Sequence, residues 1–161
     1  MDPRPRRRRR AIVRNLSQTG EFRPRLPARS RGLPTLCTSE SLLANRRILL
    51  AEDEGLIALD VEAMLQGFGC EVVGPLSELE DILLAIQAQP LDGALLDVNL
   101  RGRQVFDILP EFISRNIPVV LASGYDDASL FPHAFRELPR ISKPFDQNTL
   151  HRVCVGTLGR H

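Results

Sequence analysis

The sequence predicts one α/β domain with an open, doubly wound parallel sheet and helices on both of its faces. Two observations indicate this fold class. From about residue 47 onward, short continuous apolar runs alternate five times with stretches of helical period, within about 115 residues. Continuous apolar runs are typical of strands buried between two helical layers, and this length is too short for an eight-stranded barrel.

The first unit begins with the apolar run from Ile48 to Ala51. The helix after it carries an apolar face at the spacing i, i+4, i+7, i+8 and i+11, and Gly67 and Gly69 end it. The residues of this face are Ile57, Val61, Met64, Leu65 and Phe68.

The second unit has a short strand from Glu71 to Val73. Ser77, followed three residues later by Glu80, predicts a capping box at the start of the next helix, which Pro90 stops. The inward side chains of this helix are predicted to be Leu79, Ile82, Leu83 and Ile86.

The last three units follow the same pattern. The third strand ends on Asp97, the fourth comprises Pro118 to Ala122, and the fifth is a brief strand from Arg140 to Ser142. The predicted inward side chains of the helix after the third strand are Val105, Ile108, Leu109 and Phe112. The connection around Phe131-Pro132 has room only for a short or irregular helix. The predicted inward side chains of the final helix are Leu150, Val153, Cys154 and Leu158.

Charge is divided unevenly along the chain, although the net charge is only +1. Residues 1–46 carry +9 and residues 47–161 carry −8, so we predict a disordered Arg/Pro-rich tail over 1–46 and a folded domain over 47–161. The run from Arg6 to Arg10 would suit nucleic acid or an acidic partner, but no aromatic stacking platform accompanies it. A start codon placed too far upstream would explain the same composition.

Other compositional features bound the class of protein. No apolar signal segment and no run of about 18 apolar residues is present, which predicts a soluble cytoplasmic protein without membrane contact. Cys37, Cys70 and Cys154 are odd in number and lack metal-ligand spacing. We expect reduced thiols, with Cys70 and Cys154 in packing positions.

Polar residues stand at the carboxyl ends of the predicted strands, where sites form in open α/β sheets. They are Glu52 and Asp53 after the first strand, Asp97 and Asn99 at the third, Ser123 after the fourth and Lys143 after the fifth. Clustered carboxylates raise one another's pKa unless a cation compensates, and oxygen ligands suit Mg2+ better than zinc. The sequence therefore predicts a magnesium site.

An aspartate in such a site is able to attack phosphorus and form an acyl phosphate, provided that a metal and an ammonium neutralise the transferring oxygens. Asp97 is the predicted nucleophile. Lys143 is the only lysine beside twenty arginines, and its compact charge on a flexible stem is able to follow the phosphoryl group. The Ser123 hydroxyl is able to hydrogen-bond a phosphoryl oxygen.

Four segments together resemble the receiver domain of two-component response regulators, the CheY-like family. They are LLAEDE (49–54), LLDVNL (95–100), LASGYD (121–126) and SKPF (142–145), in the family's order and each at the end of a separate strand. The resemblance covers residues 47 to about 159. It implies a flavodoxin-like sheet with strand order 2-1-3-4-5.

The resemblance also implies a role for each acidic residue. Asp97 is the phosphorylation site, and Glu52 and Asp53 are the acidic pair that holds Mg2+ together with Asp97. The Asn99 carbonyl is a further metal ligand. The phosphoryl donor would be a histidine kinase or a histidine phosphotransfer protein, and the chain would be a signalling phospho-acceptor that catalyses only its own phosphorylation and dephosphorylation.

The remaining positions show two matches and one departure. Ser123 takes the switch-hydroxyl position and Lys143 the invariant-lysine position. Arg140 stands where the family often has the Tyr or Phe coupled to that hydroxyl, so the sequence lacks the usual aromatic residue of the switch. The segment with Tyr125 is similar to a receiver subgroup bearing a Phe-Ala-Thr-Gly-Tyr-like sequence, where the signal would pass through that loop.

Other interpretations compete with this one. Taken singly, Asp97 would cap a turn, Glu52 and Asp53 would complement a helix dipole, and Lys143 would be a solvated charge. An aspartate-nucleophile phosphatase would need a second acid at Asn99, which an amide does not supply. A nucleic-acid-binding protein would act through the tail. The chain end after the last helix leaves no room for an attached output domain, so we expect output by binding an unknown partner protein.

Overall fold

The computed structural model describes residues 42–124 and 131–159. Its strands in this part of the chain are β1 Arg47–Ala51, β2 Glu71–Leu76, β3 Gly93–Asp97, β4 Asn99–Leu100, β5 Arg103–Gln104, β6 Val119–Ser123 and β7 Arg140–Ser142. Its α-helices are α1 Gly55–Gly67, α2 Leu79–Ala88, α3 Leu109–Ser114 and α4 Gln147–Leu158. Two 3-10 turns lie at Val105–Asp107 and His133–Phe135.

Five strands form one parallel sheet in the order β2-β1-β3-β6-β7, while β4 and β5 pair as a separate antiparallel hairpin. Numbered among themselves along the chain, the five parallel strands have the order 2-1-3-4-5. The predicted strand order and the doubly wound α/β class are therefore confirmed.

Each face of the sheet has its own core, because successive side chains of a strand point to opposite faces. On one face, Leu49 and Leu96 pack with the inward residues of α2 and α3. On the other face, Leu50 and Leu95 pack with those of α1 and α4. The continuous apolar runs are thus strands covered on both faces, as their pattern predicted.

The predicted inward faces of α1, α2 and α4 point into these two cores. Their buried residues are Val61, Leu65, Phe68, Leu79, Ile82, Ile86, Leu150, Cys154 and Leu158. Partly buried at the margins are Ile57, Met64, Leu83 and Val153. Helical periodicity therefore located the packing faces correctly.

The segment after β3 differs from the prediction of one continuous helix. All four of its predicted inward residues are buried, but a 3-10 turn occupies residues 105–107 and α3 begins separately at Leu109. Pro110 has no backbone N–H, so in a continuous helix it would leave a carbonyl of the preceding turn without its hydrogen bond. Near the start of a separate helix α3 this donor is not needed. Proline thus divides an apolar pattern that is otherwise continuous.

The start of α2 also differs from the prediction. Ser77 and Glu80 form no capping box, since the N-cap of α2 is Glu78, without a side-chain cap hydrogen bond. The Glu80 carboxylate instead accepts hydrogen bonds from Arg103 Nη1 at 2.7 and 3.0 Å. The Glu80 side chain therefore pairs with Arg103 and does not cap the helix.

The folded unit extends upstream of β1. Leu43 is fully buried in the core shared with α1 and α4, and the Asn45 amide donates to the Gly69 carbonyl at 2.8 Å. Residues 1–41 lie outside the described residues, so the tail predicted for 1–46 stays a prediction. Among the described residues, none of the helices has the length and apolar character needed to cross a bilayer.

Candidate functional site

The carboxyl ends of four parallel strands bring the predicted site residues to one edge of the sheet. Glu52 follows β1, Asp97 ends β3, Ser123 ends β6 and Lys143 follows β7. The parallel pairing of β1 with β3, β3 with β6 and β6 with β7 keeps these strand ends level. Residues far apart in the sequence therefore meet at a single place.

Lys143 lies between two carboxylates of the site. Its Nζ donates hydrogen bonds to Glu52 Oε2 at 2.5 Å and to Asp97 Oδ2 at 2.7 Å. The exposed fraction of the side chain is 17% for Lys143, 3% for Glu52 and 13% for Asp97. Both ion pairs are therefore largely shielded from water.

Glu52, Asp53 and Asp97 form a carboxylate cluster, in which one oxygen of each lies within 4.8 Å of the others. A backbone amide orients each carboxylate. The bonds are Glu54 N–H to Glu52 Oε1 at 3.2 Å, Arg101 N–H to Asp53 Oδ2 at 2.9 Å and Asn99 N–H to Asp97 Oδ1 at 3.1 Å. Oxygen donors at this spacing fit a hard divalent cation such as Mg2+.

Burial and ion pairing set the electrostatics of the cluster. Burial raises the pKa of Glu52, although hydrogen bonds from Lys143 and the Glu54 amide act in the opposite direction. Burial alone would lower the pKa of Lys143, but its bonds to Asp97 and Glu52 outweigh this effect and raise it. Lys143 pairs with two of the three carboxylates, so the site has an unbalanced acidic character that a divalent cation would offset.

A cleft of about 250 Å³ gives access to the site, and its lining includes Asp53, Asp97, Asn99, Ser123, Gly124 and Lys143. Ser123 is buried, and its carbonyl accepts a hydrogen bond from the Lys143 amide at 2.8 Å. Among the described residues, and apart from the chain neighbours of Gly124, no heavy atom lies within 4 Å of where a Gly124 Cβ would be. The lining of the cleft thus includes a buried hydroxyl-bearing residue.

The β4–β5 hairpin, residues 99–104, is a part of the site that the sequence interpretation missed. It begins two residues after Asp97, and the Arg101 amide donates to the Asp53 carboxylate. Gly102 was a weak signal, since Gly is the usual second residue of a two-residue hairpin turn, although Arg101 stands where Asn, Asp or Gly usually precedes it. The segment is too short and too polar to have been recognised from apolar periodicity.

Arg140, at the start of β7, contacts an aromatic ring instead of supplying one. Its guanidinium carbon lies 5.4 Å from the centroid of the Phe131 ring, and its Nη1 donates to the Arg136 carbonyl at 3.2 Å. Arg136 Nε in turn donates to the Phe131 carbonyl at 3.1 Å. The arginine is thus anchored, whereas Tyr125 lies outside the described residues.

Two of the three cysteines lie in the described part of the chain. Cys70 and Cys154 are buried free thiols, as predicted. Cys37 and the run from Arg6 to Arg10 lie outside the described residues. In the described part of the chain, Glu52, Asp53 and Asp97 are the side chains placed to bind a metal ion together.

Comparison with family models of proteins gives no match. Among curated proteins, the transcriptional regulatory protein PdtaR of Mycobacterium tuberculosis is 31% identical over 90 residues, covering 55% of this chain and 44% of PdtaR. The chain thus spans less than half the length of that relative.

Three solved structures of two proteins resemble this one over most of its length. The response regulator PhyR from Brucella abortus is 27% identical, with a TM-score of 0.65, over 74% of this chain and 50% of PhyR. SdrG from Sphingomonas melonis is 32% identical, with a TM-score of 0.60, over 70% of this chain and 93% of SdrG. A second SdrG structure, of its BeF3-activated conformation, is 34% identical with a TM-score of 0.59, over 68% of this chain and 92% of SdrG.

Proposed function

The chain belongs to the response regulator receiver family, and we propose that it accepts a phosphoryl group on Asp97 in two-component signalling. The observation that carries the proposal is the Asp97 carboxylate, which is held between the Lys143 ammonium and the Asn99 amide beside two other carboxylates. The BeF3-activated conformation of SdrG supports it, because beryllofluoride imitates a phosphoryl group on a carboxylate.

Mg2+ is the cation that we propose for the carboxylate cluster. Glu52, Asp53 and Asp97 would hold it with carboxylate oxygens, and Asn99 with its backbone carbonyl, which fits the preference of Mg2+ for oxygen ligands. When bound, the ion would supply positive charge to the oxygens of the transferring group.

The residues of the site have distinct parts in the proposed transfer. An Asp97 oxygen forms the new P–O bond while the P–N bond of a phosphohistidine donor breaks, and the electron pair of that bond leaves with the imidazole. Lys143 is already within hydrogen-bonding distance of Asp97, so its ammonium is placed to compensate charge that develops on the phosphoryl oxygens. Ser123 lines the same cleft and offers a hydroxyl to one of those oxygens.

The proposed partners follow from this chemistry. The donor is a histidine kinase or a histidine phosphotransfer protein, because the proposed transfer takes the phosphoryl group from a phosphohistidine of another protein. The phosphorylated domain then acts by binding a downstream protein. In this proposal the chain is a cytoplasmic phosphoprotein whose chemistry is confined to gaining and losing its own phosphoryl group.

Phosphorylation of purified protein tests the proposal. The protein is incubated with Mg2+ and acetyl phosphate, and intact-mass spectrometry measures the phosphorylated fraction. We expect phosphorylation that needs Mg2+, is removed by hydroxylamine as an acyl phosphate, and is abolished in Asp97→Asn.

A matched control separates the acceptor from other aspartates. Asp107→Asn removes an exposed aspartate outside the cluster and should be phosphorylated like the wild type. Undiminished phosphorylation of Asp97→Asn would overturn the proposal. Rapid multiple turnover of a phosphomonoester would instead support the phosphatase alternative.

A further inference from the structure

We propose that the β4–β5 hairpin is a positioning element for the metal site, and that ion pairs between the hairpin and α2 fix it through Arg101. The inference rests on the proposed function, because it assigns the hairpin a role toward the same Mg2+ site. It concerns residues that do not themselves act as ligands through their side chains.

Two backbone amides of the hairpin hold two of the three clustered carboxylates. The Asn99 amide donates to Asp97 Oδ1 at 3.1 Å, and the Arg101 amide donates to Asp53 Oδ2 at 2.9 Å. Both donors belong to one short unit, residues 99–104. A shift of this hairpin would therefore move both carboxylates relative to Glu52.

The tip of the hairpin has a demanding backbone conformation. Arg101 has φ +49° and Gly102 has φ +80°. Positive φ at both central residues is typical of the tight turn that matches strand twist, but it is uncommon for a residue with a side chain. Arg101 therefore adopts a conformation that contacts elsewhere must stabilise.

Those contacts are two ion pairs with the first turn of α2 and its N-cap. Arg101 Nη1 lies 2.7 Å from Glu78 Oε1, and Arg103 Nη1 lies 2.7 Å from Glu80 Oε1. The helix itself is anchored, because Leu79 between the two glutamates is buried in the core. The hairpin is thus tied by two ion pairs to a fixed element of the fold.

The sign of one measurement separates positioning from simple charge effects. Replacing Arg101 with Gln removes a positive charge beside the proposed cation site, which by electrostatics alone would strengthen Mg2+ binding. If the arginine positions the Asp53 carboxylate, the same change should weaken binding, by about two- to fivefold for an exposed ion pair.

The experiment titrates the full chain with Mg2+ alone and follows backbone amide signals by NMR. Arg101→Gln and Arg103→Gln should both bind Mg2+ more weakly, while Arg101→Lys should restore wild-type affinity because it keeps the pair with Glu78. The control Arg115→Gln also breaks an exposed ion pair, to Glu111 at 2.7 Å, at the end of α3 and away from the cleft lining. It should bind like the wild type.

The outcomes separate the two proposals. A wild-type protein that does not bind Mg2+ would overturn the proposed function and this inference with it. A wild type that binds, together with equal or tighter binding by Arg101→Gln, would overturn the positioning role alone. Equal weakening in Arg101→Lys, or in Arg115→Gln, would overturn the assignment to the hairpin ion pair.

Discussion

Replacing Lys143 with Met should reduce the free energy of unfolding of the metal-free protein. The substitution removes the ammonium that donates to Glu52 and Asp97, and leaves Glu52 buried with the Glu54 amide as a donor. Removing one partner of a buried ion pair costs about 3–5 kcal/mol. Because Asp97 keeps some access to water and Glu52 is able to take up a proton, we expect a loss of about 2–3 kcal/mol.

The assay is urea denaturation followed by circular dichroism at neutral pH, with EDTA present so that no divalent cation replaces the lysine. The matched comparison is Lys143→Met in a Glu52→Gln background. With a neutral amide at position 52, removing the lysine leaves Asp97 as the one carboxylate that loses its ammonium. We therefore expect the loss to fall to about half.

The pH dependence of this loss has a definite sign. Burial raises the pKa of Glu52, and Lys143→Met removes a hydrogen bond that opposes this rise. For an acid whose folded pKa exceeds its unfolded value, stability is regained as the pH falls through the folded pKa. The loss should therefore shrink as the pH falls from neutral through the folded pKa of Glu52. A loss below about 0.5 kcal/mol, or one unchanged by Glu52→Gln, would refute the reasoning.

Two further predictions concern the frame of the domain. Gly74 has φ +125° and its Cβ would lie 2.5 Å from the Leu50 carbonyl oxygen, so Gly74→Ala should destabilise the protein by about 2–3 kcal/mol, and an unchanged urea midpoint would contradict this. Burial raises the pKa of Cys154 to about 12 and that of Cys70 to about 11. In the folded protein, alkylation of these two thiols by iodoacetamide, resolved by peptide mass spectrometry, should be slower than in urea by about tenfold or more. The free energy of unfolding should fall as the pH rises above about 9, because the thiols of the unfolded chain ionise first. Equal alkylation rates in both states would contradict this prediction.

The parallel sheet and the grouping of the candidate site residues were predictable because each depends on a local and repeated signal. Runs such as Leu95-Leu96 are apolar on both sides and so indicate a doubly covered strand. The carboxyl ends of such strands meet at one edge, which is why the polar residues after them could be grouped before any distance was known. The confirmed strand order came from the family resemblance and not from periodicity.

The parts that were missed depend on partners distant in the sequence. Nothing next to Glu80 shows that Arg103, rather than Ser77, would be its partner. The extension of β2 to Leu76 similarly depends on a bond across the sheet, in which the Glu52 amide donates to the Leu76 carbonyl at 2.9 Å. Local propensity does not specify choices that are made between segments, and these were the ones predicted wrongly or not at all.

The distance along the chain between the two ends of the Lys143–Glu52 ion pair has a consequence for folding. The two residues are 91 positions apart, and Lys143 follows β7, a three-residue strand that pairs with β6 at the edge of the sheet. Closing so long a loop is entropically costly until the intervening strands have paired. Nascent or truncated chains that lack β7 and the residue after it therefore have Glu52 and Asp97 without their ammonium. The proposed competence to accept a phosphoryl group would arise only when the last strand has docked.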